Sequence, residues 1–283
     1  MQDNKKIAFQ GTFGSNSDLA CNKFYPNLQT VPCASFSDVF QLVESEEVDY
    51  GIIPLENSYA GRVAEIHNLL HDSNVSIIAE HFLRIQHHLA GIKGTKLEDI
   101  KEVYSHPQAL MQCRENLSKT NFKQFNYSNT ATAAKFIAEN KDKSKAALCS
   151  SLAVELNKLE IIEKNMEDNK NDNMTLWIVI AKRGIDPDFE RGNKIITTML
   201  FTVRNIPGSL YKALGGFATN GINMIKLESY IPGGISQQAK FFISIEGHPN
   251  QRNVSLALEE MGFFSQSVKV LGVYKADKVR FKK

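Results

Sequence analysis

Five separate runs of hydrogen-bonding side chains are the first candidates for chemistry in this sequence. They are Gln10 to Ser17, Glu56-Asn57-Ser58, Ser105 to Cys113, Asn129-Thr130-Ala131-Thr132 and Asn173-Met174-Thr175. Their polar members are nearly all Ser, Thr, Asn or Gln. Such groups donate hydrogen bonds without carrying charge. Together with the free amides of helix N-termini they suit an anionic ligand held without a metal. Singly, Ser15, Ser105 and Thr130 have a plainer use as helix N-caps. Five runs that each fall where a strand ends or a helix begins argue instead for the border of one ligand crevice.

The histidines and cysteines carry less. His67 and His71 are spaced i, i+4 on a predicted helix, but no third ligand accompanies them. They read as exposed helix residues, and no metal is expected. His87-His88 reads as a strand pair, and His106 as a residue shaping the turn before Pro107. Cys21, Cys33, Cys113 and Cys149 form no CxxC and read as free thiols used as small apolar residues.

The elements that must position these runs alternate. Lys6–Phe9 is a predicted strand, followed by a Gly-rich turn and a helix from Ser15 through Tyr25. Phe36, Val39, Phe40 and Val43 mark one face of a helix capped near Ser35 or Ser37. A strand follows over Val48–Leu55, with Pro54 marking its exit. Val75–Ala79 and Phe82–Ala90 are predicted as two strands. Ile100–Tyr104 is a strand, Gln108–Leu117 a helix, Phe122–Tyr127 extended and Thr130–Glu139 a helix. Ala146–Cys149 is a strand before a helix over Ser151–Leu159, with Leu152, Leu156 and Leu159 in register. The asparagine-rich stretch Glu163–Asn173 reads as a surface loop with little to bury, and Met174–Ala181 as an apolar strand. This alternation predicts parallel α/β layers.

Residues 182–194 hold Gly184, Pro187 and Gly192 among many charges and read as a linker. Beyond it come a strand over Ile195–Val203, a helix opened by Ile206-Pro207-Gly208 and ended at Gly221, and strands over Ile222–Ile231 and Gln238–Glu246 around a Pro232-Gly233-Gly234 turn. A helix over Asn253–Met261, with Leu256, Leu258 and Met261 inward, and a strand over Val268–Tyr274 complete a βαββαβ order, the ferredoxin-like pattern.

Composition bounds the rest. Of 283 residues 42% are hydrophobic and 23% charged, enough to bury a core, and 33 basic against 31 acidic residues leave a net charge of +2. No acidic or basic tail dominates, so nothing points to nucleic acid. No apolar run approaches a membrane span, and the start lacks a signal-peptide core, so a cytosolic location is expected.

The runs also resemble a known family. Ile53-Pro54-Leu55-Glu56-Asn57-Ser58-Tyr59-Ala60-Gly61 is similar to the P-[IL]-E-N-S-x-x-G motif of prephenate dehydratases. Residues Ser105-His106-Pro107-Gln108-Ala109-Leu110-Met111-Gln112-Cys113 match their SHPQAL-x-QC motif throughout. Gln10–Gly14 resembles their G-P-x-G-T-F segment loosely, and Asn129–Ala134 their [ST]-x-A-A-A helix start. Three motifs depart. The family's T-R-F reads Thr175-Leu176-Trp177, its G-A-L reads Gly208-Ser209-Leu210, and its E-S-R-P reads Glu228-Ser229-Tyr230-Ile231.

The resemblance implies a catalytic domain over residues 1–182 built like a type 2 periplasmic binding protein. One lobe would span about 1–77 and 163–182, the other about 78–162. An ACT regulatory domain would follow over 195–276. It implies conversion of prephenate to phenylpyruvate without a cofactor. Thr175 would contact the leaving hydroxyl, with Glu56 and Asn57 beside it. Ser58, Ser105, Gln112, Thr12 and Thr130 would bind substrate. The lost T-R-F arginine would weaken substrate binding unless Arg62 or Arg84 replaces its charge. Phenylalanine is the implied effector, at Gly208, Ser209, Leu210, Asn223, Glu228 and Ser229, with Tyr230 able to reshape that pocket. A homodimer or homotetramer is implied. Arogenate remains an alternative substrate, and an inactive amino-acid sensor an alternative role.

Overall fold

The first strand, β1 (Lys6–Gln10), is apolar at Ile7, Ala8 and Phe9, and all three are fully buried. Burial on both faces calls for neighbours on both sides, and β1 pairs in parallel with β2 (Gln29–Cys33) and β3 (Tyr50–Asn57). The structure is a computed structural model that describes residues 5–169, 172–189, 192–231 and 239–281. In chain order, α1 (Asn16–Phe24) lies between β1 and β2, and α2 (Phe36–Glu44) between β2 and β3. Next come β4 (Gly61–Arg62), α3 (Ala64–Asp72), β5 (Ser76–Arg84), β6 (His88–Gly91), β7 (Glu102–Ser105), α4 (Pro107–Gln112) and α5 (Arg114–Ser118). Then follow β8 (Lys123–Asn126), α6 (Thr130–Asn140), β9 (Lys145–Cys149), α7 (Ser151–Leu156), β10 (Glu160–Glu163) and β11 (Met174–Ala181). The remainder is β12 (Ile195–Val203), α8 (Ser209–Thr219), β13 (Met224–Tyr230), β14 (Lys240–Glu246), α9 (Arg252–Phe264) and β15 (Ser265–Lys275).

Among the described residues the strands form three sheets. The first has the order β2-β1-β3-β11-β5, with β4 paired to β3. The second runs β10-β6-β9-β7-β8, parallel between β7, β8 and β9 and antiparallel at β6 and β10. The third, β13-β14-β12-β15, is antiparallel and is the predicted ferredoxin-like sheet. The fold is thus α/β with two mixed or parallel sheets and a separate βαββαβ sheet. No described helix is long and apolar enough to cross a membrane.

The chain divides into two compact units. One comprises Met1–Leu42, Val48–Val63 and His81–Trp177, the other Val43–Glu47, Ala64–Glu80 and Ile178–Lys283. In the second unit, α8 and α9 cover one face of the third sheet through Met199, Phe201, Phe217, Ile243, Val254 and Met261. Helix α3 meets the other face: His67 lies edge-on to Phe242 at 5.0 Å, and Lys269 Nζ donates to the carbonyls of Leu70, His71 and Ser73 near the helix end. Strand β15 approaches residue 77 so closely that a Cβ on Gly272 would sit 2.0 Å from the Ile77 carbonyl oxygen. The two carboxylate oxygens of buried Glu80 accept from Arg280 Nε and Nη2, at 2.6 and 2.7 Å.

Several expectations are corrected. One strand spans Ser76–Arg84, so the break falls at residues 85–87 and not at 80–81. Pro54 lies inside β3. It falls between the β1 pairing, which ends at Ile52, and the β4 pairing, which begins at Glu56, so its missing N–H costs no bond in either. Gln108–Leu117 is two short helices broken at Cys113. Helix α7 stops at Leu156, which is exposed, before Leu159 is reached. Leu256 on α9 is also exposed. Helix α8 begins at Ser209, with Gly208 as its left-handed N-cap and Pro207 just before it. His67 is buried, because α3 faces the third sheet and not solvent. The Pro232-Gly233-Gly234 turn lies outside the described residues.

Candidate active site

Most of the predicted catalytic and substrate-binding residues fall into two groups, both within the first unit. The first group is built on the ends of β3 and β11. Asn57 is its pivot. Its carbonyl Oδ1 accepts from the backbone N–H groups of Tyr59 and Ala60, both at 3.0 Å. That turn fixes which end of the amide is oxygen, because a backbone N–H can only donate. The Asn57 Nδ2 must therefore donate, and it does so to Thr175 Oγ1 at 2.9 Å, Asn173 Oδ1 at 2.9 Å and the Met174 carbonyl at 3.2 Å. Thr175 Oγ1 receives a hydrogen bond, so its own proton is free for another acceptor. Ser58 ties the same two strands: its N–H donates to the Met174 carbonyl, its Oγ accepts from Met174 N–H at 3.0 Å, and its hydroxyl donates to the Asp172 carbonyl.

Gln112, at the end of α4, joins this group through Asn173, whose Nδ2 donates to Gln112 Oε1 at 3.4 Å. His87 Nε2 lies 2.8 Å from the same oxygen. The segment before β11 supplies the backing. Buried Glu167 accepts the His87 backbone N–H at 3.0 Å and lies 3.9 Å from the Arg84 guanidinium. Asp168 accepts the N–H groups of Glu115 and Asn116 at 3.0 Å each, capping α5. The stretch expected to be a surface loop thus buries Met166, Glu167 and Asn173.

The second group surrounds the Gly-rich turn after β1. Ser15 caps α1, accepting from Asp18 N–H at 3.3 Å. Thr12 Oγ1 donates to Asn129 Oδ1 at 3.5 Å, and Asn129 caps α6 with a reciprocal Thr132 bond. Thr130 is the first residue of that helix and is buried. The Ser150 hydroxyl donates to the Gly14 carbonyl at 2.7 Å while capping α7. Gly14 is at φ +85°, and a Cβ there would lie 3.0 Å from the Ala153 backbone. Three helix N-termini therefore gather around one turn, an arrangement of free amides suited to an anion.

Two predicted residues, Ser105 and Glu56, are placed differently, and so is Leu176 of the altered T-R-F motif. Ser105 is fully buried, and its hydroxyl donates to the Leu148 carbonyl at 2.7 Å, tying β7 to β9. Strand alternation puts Glu56 on the face of β3 opposite Asn57, across from Arg62 on β4. It likewise puts Leu176 opposite Thr175 on β11, where Leu176 is buried. An arginine at 176 would enter the core, so the T-R-F departure is a change of packing and not an empty place beside Thr175.

His106 caps α4, its Nδ1 accepting from Gln108 N–H at 3.2 Å. All four cysteines are buried, and burial pushes every thiol pKa up, that of Cys149 to about 12. Among the described residues no group of three or more His, Cys, Asp and Glu gathers as metal ligands.

In the second unit the predicted effector residues divide. Gly208 and Ser209 form the α8 N-terminus, and Leu210 packs toward the helix-side core. Asn223 and Ser229 are exposed. Glu228 is turned to the opposite face of the sheet, 2.8 Å from His67 Nε2 and 2.8 Å from Lys226 Nζ. Alternation along β13 therefore takes it away from the α8 N-terminus, correcting the expectation that it meets an effector there. Its carboxyl pKa is held down to about 2, chiefly by the close contact with His67 and then by Lys226.

Residues 7–185 match the family model described as Prephenate dehydratase. A bifunctional N-acyl-homoserine lactone acylase/prephenate dehydratase of Komagataeibacter europaeus is 39% identical over 100% of both chains. Arogenate dehydratase/prephenate dehydratase 1 of Arabidopsis thaliana is 34% identical over 97% of this chain and 73% of its own. The crystal structure of a prephenate dehydratase of Arthrobacter aurescens in complex with L-Phe superposes with a TM-score of 0.86 at 26% identity, covering 95% of this chain and 90% of that one.

Proposed function

The chain belongs to the prephenate dehydratase family, a family of carbon–oxygen lyases, and on that premise we propose that it converts prephenate to phenylpyruvate. Prephenate loses CO2 and hydroxide together, and the ring becomes aromatic. The reaction is driven by that aromatisation, so the protein's tasks are to orient a dianion and to help hydroxide leave. The observation that carries the reading is the Asn57–Thr175 bond. Its polarity leaves the threonine proton free to donate to the leaving oxygen. A threonine hydroxyl is too weak an acid to give up its proton outright. It acts as a hydrogen-bond donor that strengthens as negative charge develops on the leaving oxygen.

Gln112, linked through Asn173 to the Asn57 amide that holds Thr175, is assigned to substrate orientation, whereas Ser58, whose hydroxyl donates to the Asp172 carbonyl, is read as part of the frame. Thr12, Thr130 and the three gathered helix N-termini are assigned to the substrate's carboxylates. Asn57 is a catalytic partner through Thr175. Ser105 and Glu56 are better read as parts of the frame, Ser105 because its hydroxyl is spent on Leu148. The test is phenylpyruvate formation by the purified chain. A rate no higher than the spontaneous one in buffer would end the dehydratase reading and leave the amino-acid sensor.

Two relatives widen the substrate panel. Arogenate belongs in it because of the plant relative's name. An N-acyl-homoserine lactone belongs in it because of the bifunctional relative, whose match spans both chains entirely. The four buried cysteines, with thiol pKa values pushed up, offer no thiolate nucleophile for acyl transfer. Release of a free fatty acid from the lactone by wild-type protein but not by a Thr175→Ala variant would tie that activity to the same site.

The βαββαβ segment, residues 195–276, is read as an ACT regulatory domain that binds phenylalanine and pairs with a second copy. The relative solved with L-Phe supports the effector. The α8 N-terminus at Gly208 and Ser209 suits the amino acid's carboxylate, with Leu210, Asn223 and Ser229 around it. Glu228 is left out, being engaged by His67 and Lys226.

A further inference from the structure

The hydrogen-bond polarity that begins at Asn57 runs further than Thr175. Asn57 donates to Asn173 Oδ1, so the other end of that amide, Nδ2, is a donor, and it faces Gln112 Oε1. Gln112 Oε1 is therefore an acceptor. His87 Nε2, 2.8 Å away, must carry a hydrogen. The same ring's Nδ1 is buried and has no hydrogen-bond partner among the described residues. A neutral imidazole protonated on Nε2 satisfies this arrangement. The opposite tautomer would require Gln112 to turn over, which would set its NH2 against that of Asn173.

We propose that His87 is a positioning residue for the reaction: a buried, neutral imidazole that holds the Gln112 carbonyl oxygen and so turns the Gln112 NH2 group toward the substrate. The kinetic part of this inference rests on the dehydratase reading. Gln112 Nε2 donates to no described residue, so its two hydrogens are available to an anionic ligand. Without His87 only the longer Asn173 bond, at 3.4 Å, would hold the amide, and its oxygen would face the substrate more often. An oxygen facing a dianion repels it.

The surroundings keep the ring neutral. His87 is only 2% exposed, and burial lowers its pKa. The charged and titratable groups around it are Glu167, which takes the His87 backbone N–H, Arg84, whose guanidinium lies 3.9 Å from that carboxylate, and His88 alongside. Glu167 favours the imidazolium, but Arg84 offsets its charge. A second ring proton would be buried without an acceptor.

The test has two arms. In the first, nitrogen NMR of 15N-histidine-labelled full chain reads the tautomer without reference to activity. Nε2 is expected to be protonated and Nδ1 bare through the ordinary histidine range around pH 6.5. A His87 that titrates there, or that carries its proton on Nδ1, overturns the inference. In the second, His87→Phe keeps a buried ring and removes the donor, while His87→Gln returns an amide N–H near the Nε2 position. His87→Phe is expected to lower kcat/KM for prephenate about tenfold, with His87→Gln recovering most of it. In a Gln112→Ala background the same His87→Phe change is expected to have almost no further effect. An equal loss in both backgrounds would make His87 a structural residue only. If His87→Phe does not fold, His87→Gln and the NMR arm still decide. A wild-type chain without dehydratase activity would remove the functional reading, while the tautomer would still be judged on its own.

Discussion

Thr175 illustrates how little a side chain's type says before its partner is known. A hydroxyl is both donor and acceptor, and Asn57 settles its direction by occupying the lone pair. Thr175→Ala is expected to lower kcat by about two decades, the scale of a lost transition-state donor, with KM little changed. A near-normal kcat in steady-state assays would take Thr175 out of the reaction. The neighbouring residue behaves in the opposite way. Leu176 is 3% exposed on the other face of β11. Leu176→Arg is expected to destabilise the fold by about 3 kcal/mol or more, because it buries an unpaired charge. Urea unfolding measures this, and a variant that is equally stable with a lower KM would mean that position 176 reaches the substrate after all.

At the scale of elements, the asparagine-rich segment before β11 acts as a clamp. Asp168 caps α5 with both carboxylate oxygens, while its own N–H donates to the Gln112 carbonyl at 2.9 Å. Asp168→Ala is expected to cost about 1–2 kcal/mol through the lost cap. Because α5 follows α4 directly, KM should also rise as Gln112 loosens. Unchanged stability in a denaturant titration would contradict the capping role. The turn after β1 is tighter still. Gly14 combines a positive φ with a backbone neighbour at 3.0 Å from any Cβ, so Gly14→Ala strains both the turn and its seat on α7.

At the scale of the molecule, the third sheet is held to α3 by ionised groups as well as by packing. The Glu228 pKa is depressed in the folded protein, first by His67 and then by Lys226. A depressed carboxyl stabilises the fold above its unfolded pKa, and that stabilisation is lost as pH falls through the folded value. The window therefore runs from about pH 4.5 down to about 2. Glu228→Gln is expected to lower stability at neutral pH by on the order of 2 kcal/mol and to flatten the acid limb in that window. A stability–pH curve identical to the wild type would show that the His67 contact contributes nothing. Phenylalanine, if it binds the α8 N-terminus, must weaken substrate binding by the same factor by which substrate weakens its own. Calorimetry on the full chain, with and without a substrate analogue, checks that reciprocity. No binding at millimolar phenylalanine would leave the sheet as an assembly module.

Local periodicity and end signals made much of this protein readable from the chain alone. The apolar run Met174–Ala181 is a strand with the predicted bounds, Asn129 starts α6, and the last segment has the βαββαβ order, because these depend on neighbours within a few residues. The polar runs were visible too, since five of them fall where a strand ends or a helix begins. Their division of labour was not visible. Asn173 and Glu167 look like solvated loop residues until Asn57, Gln112 and His87, each distant in sequence, arrive to satisfy them. Ser105 looks like a ligand-binding residue until Leu148 takes its proton. His67 looks exposed until the third sheet covers α3. A polar side chain's type limits what it can bond, and this is written in the sequence. Which bond it makes depends on groups brought within 3 Å by long-range packing, and only the tertiary structure decides that.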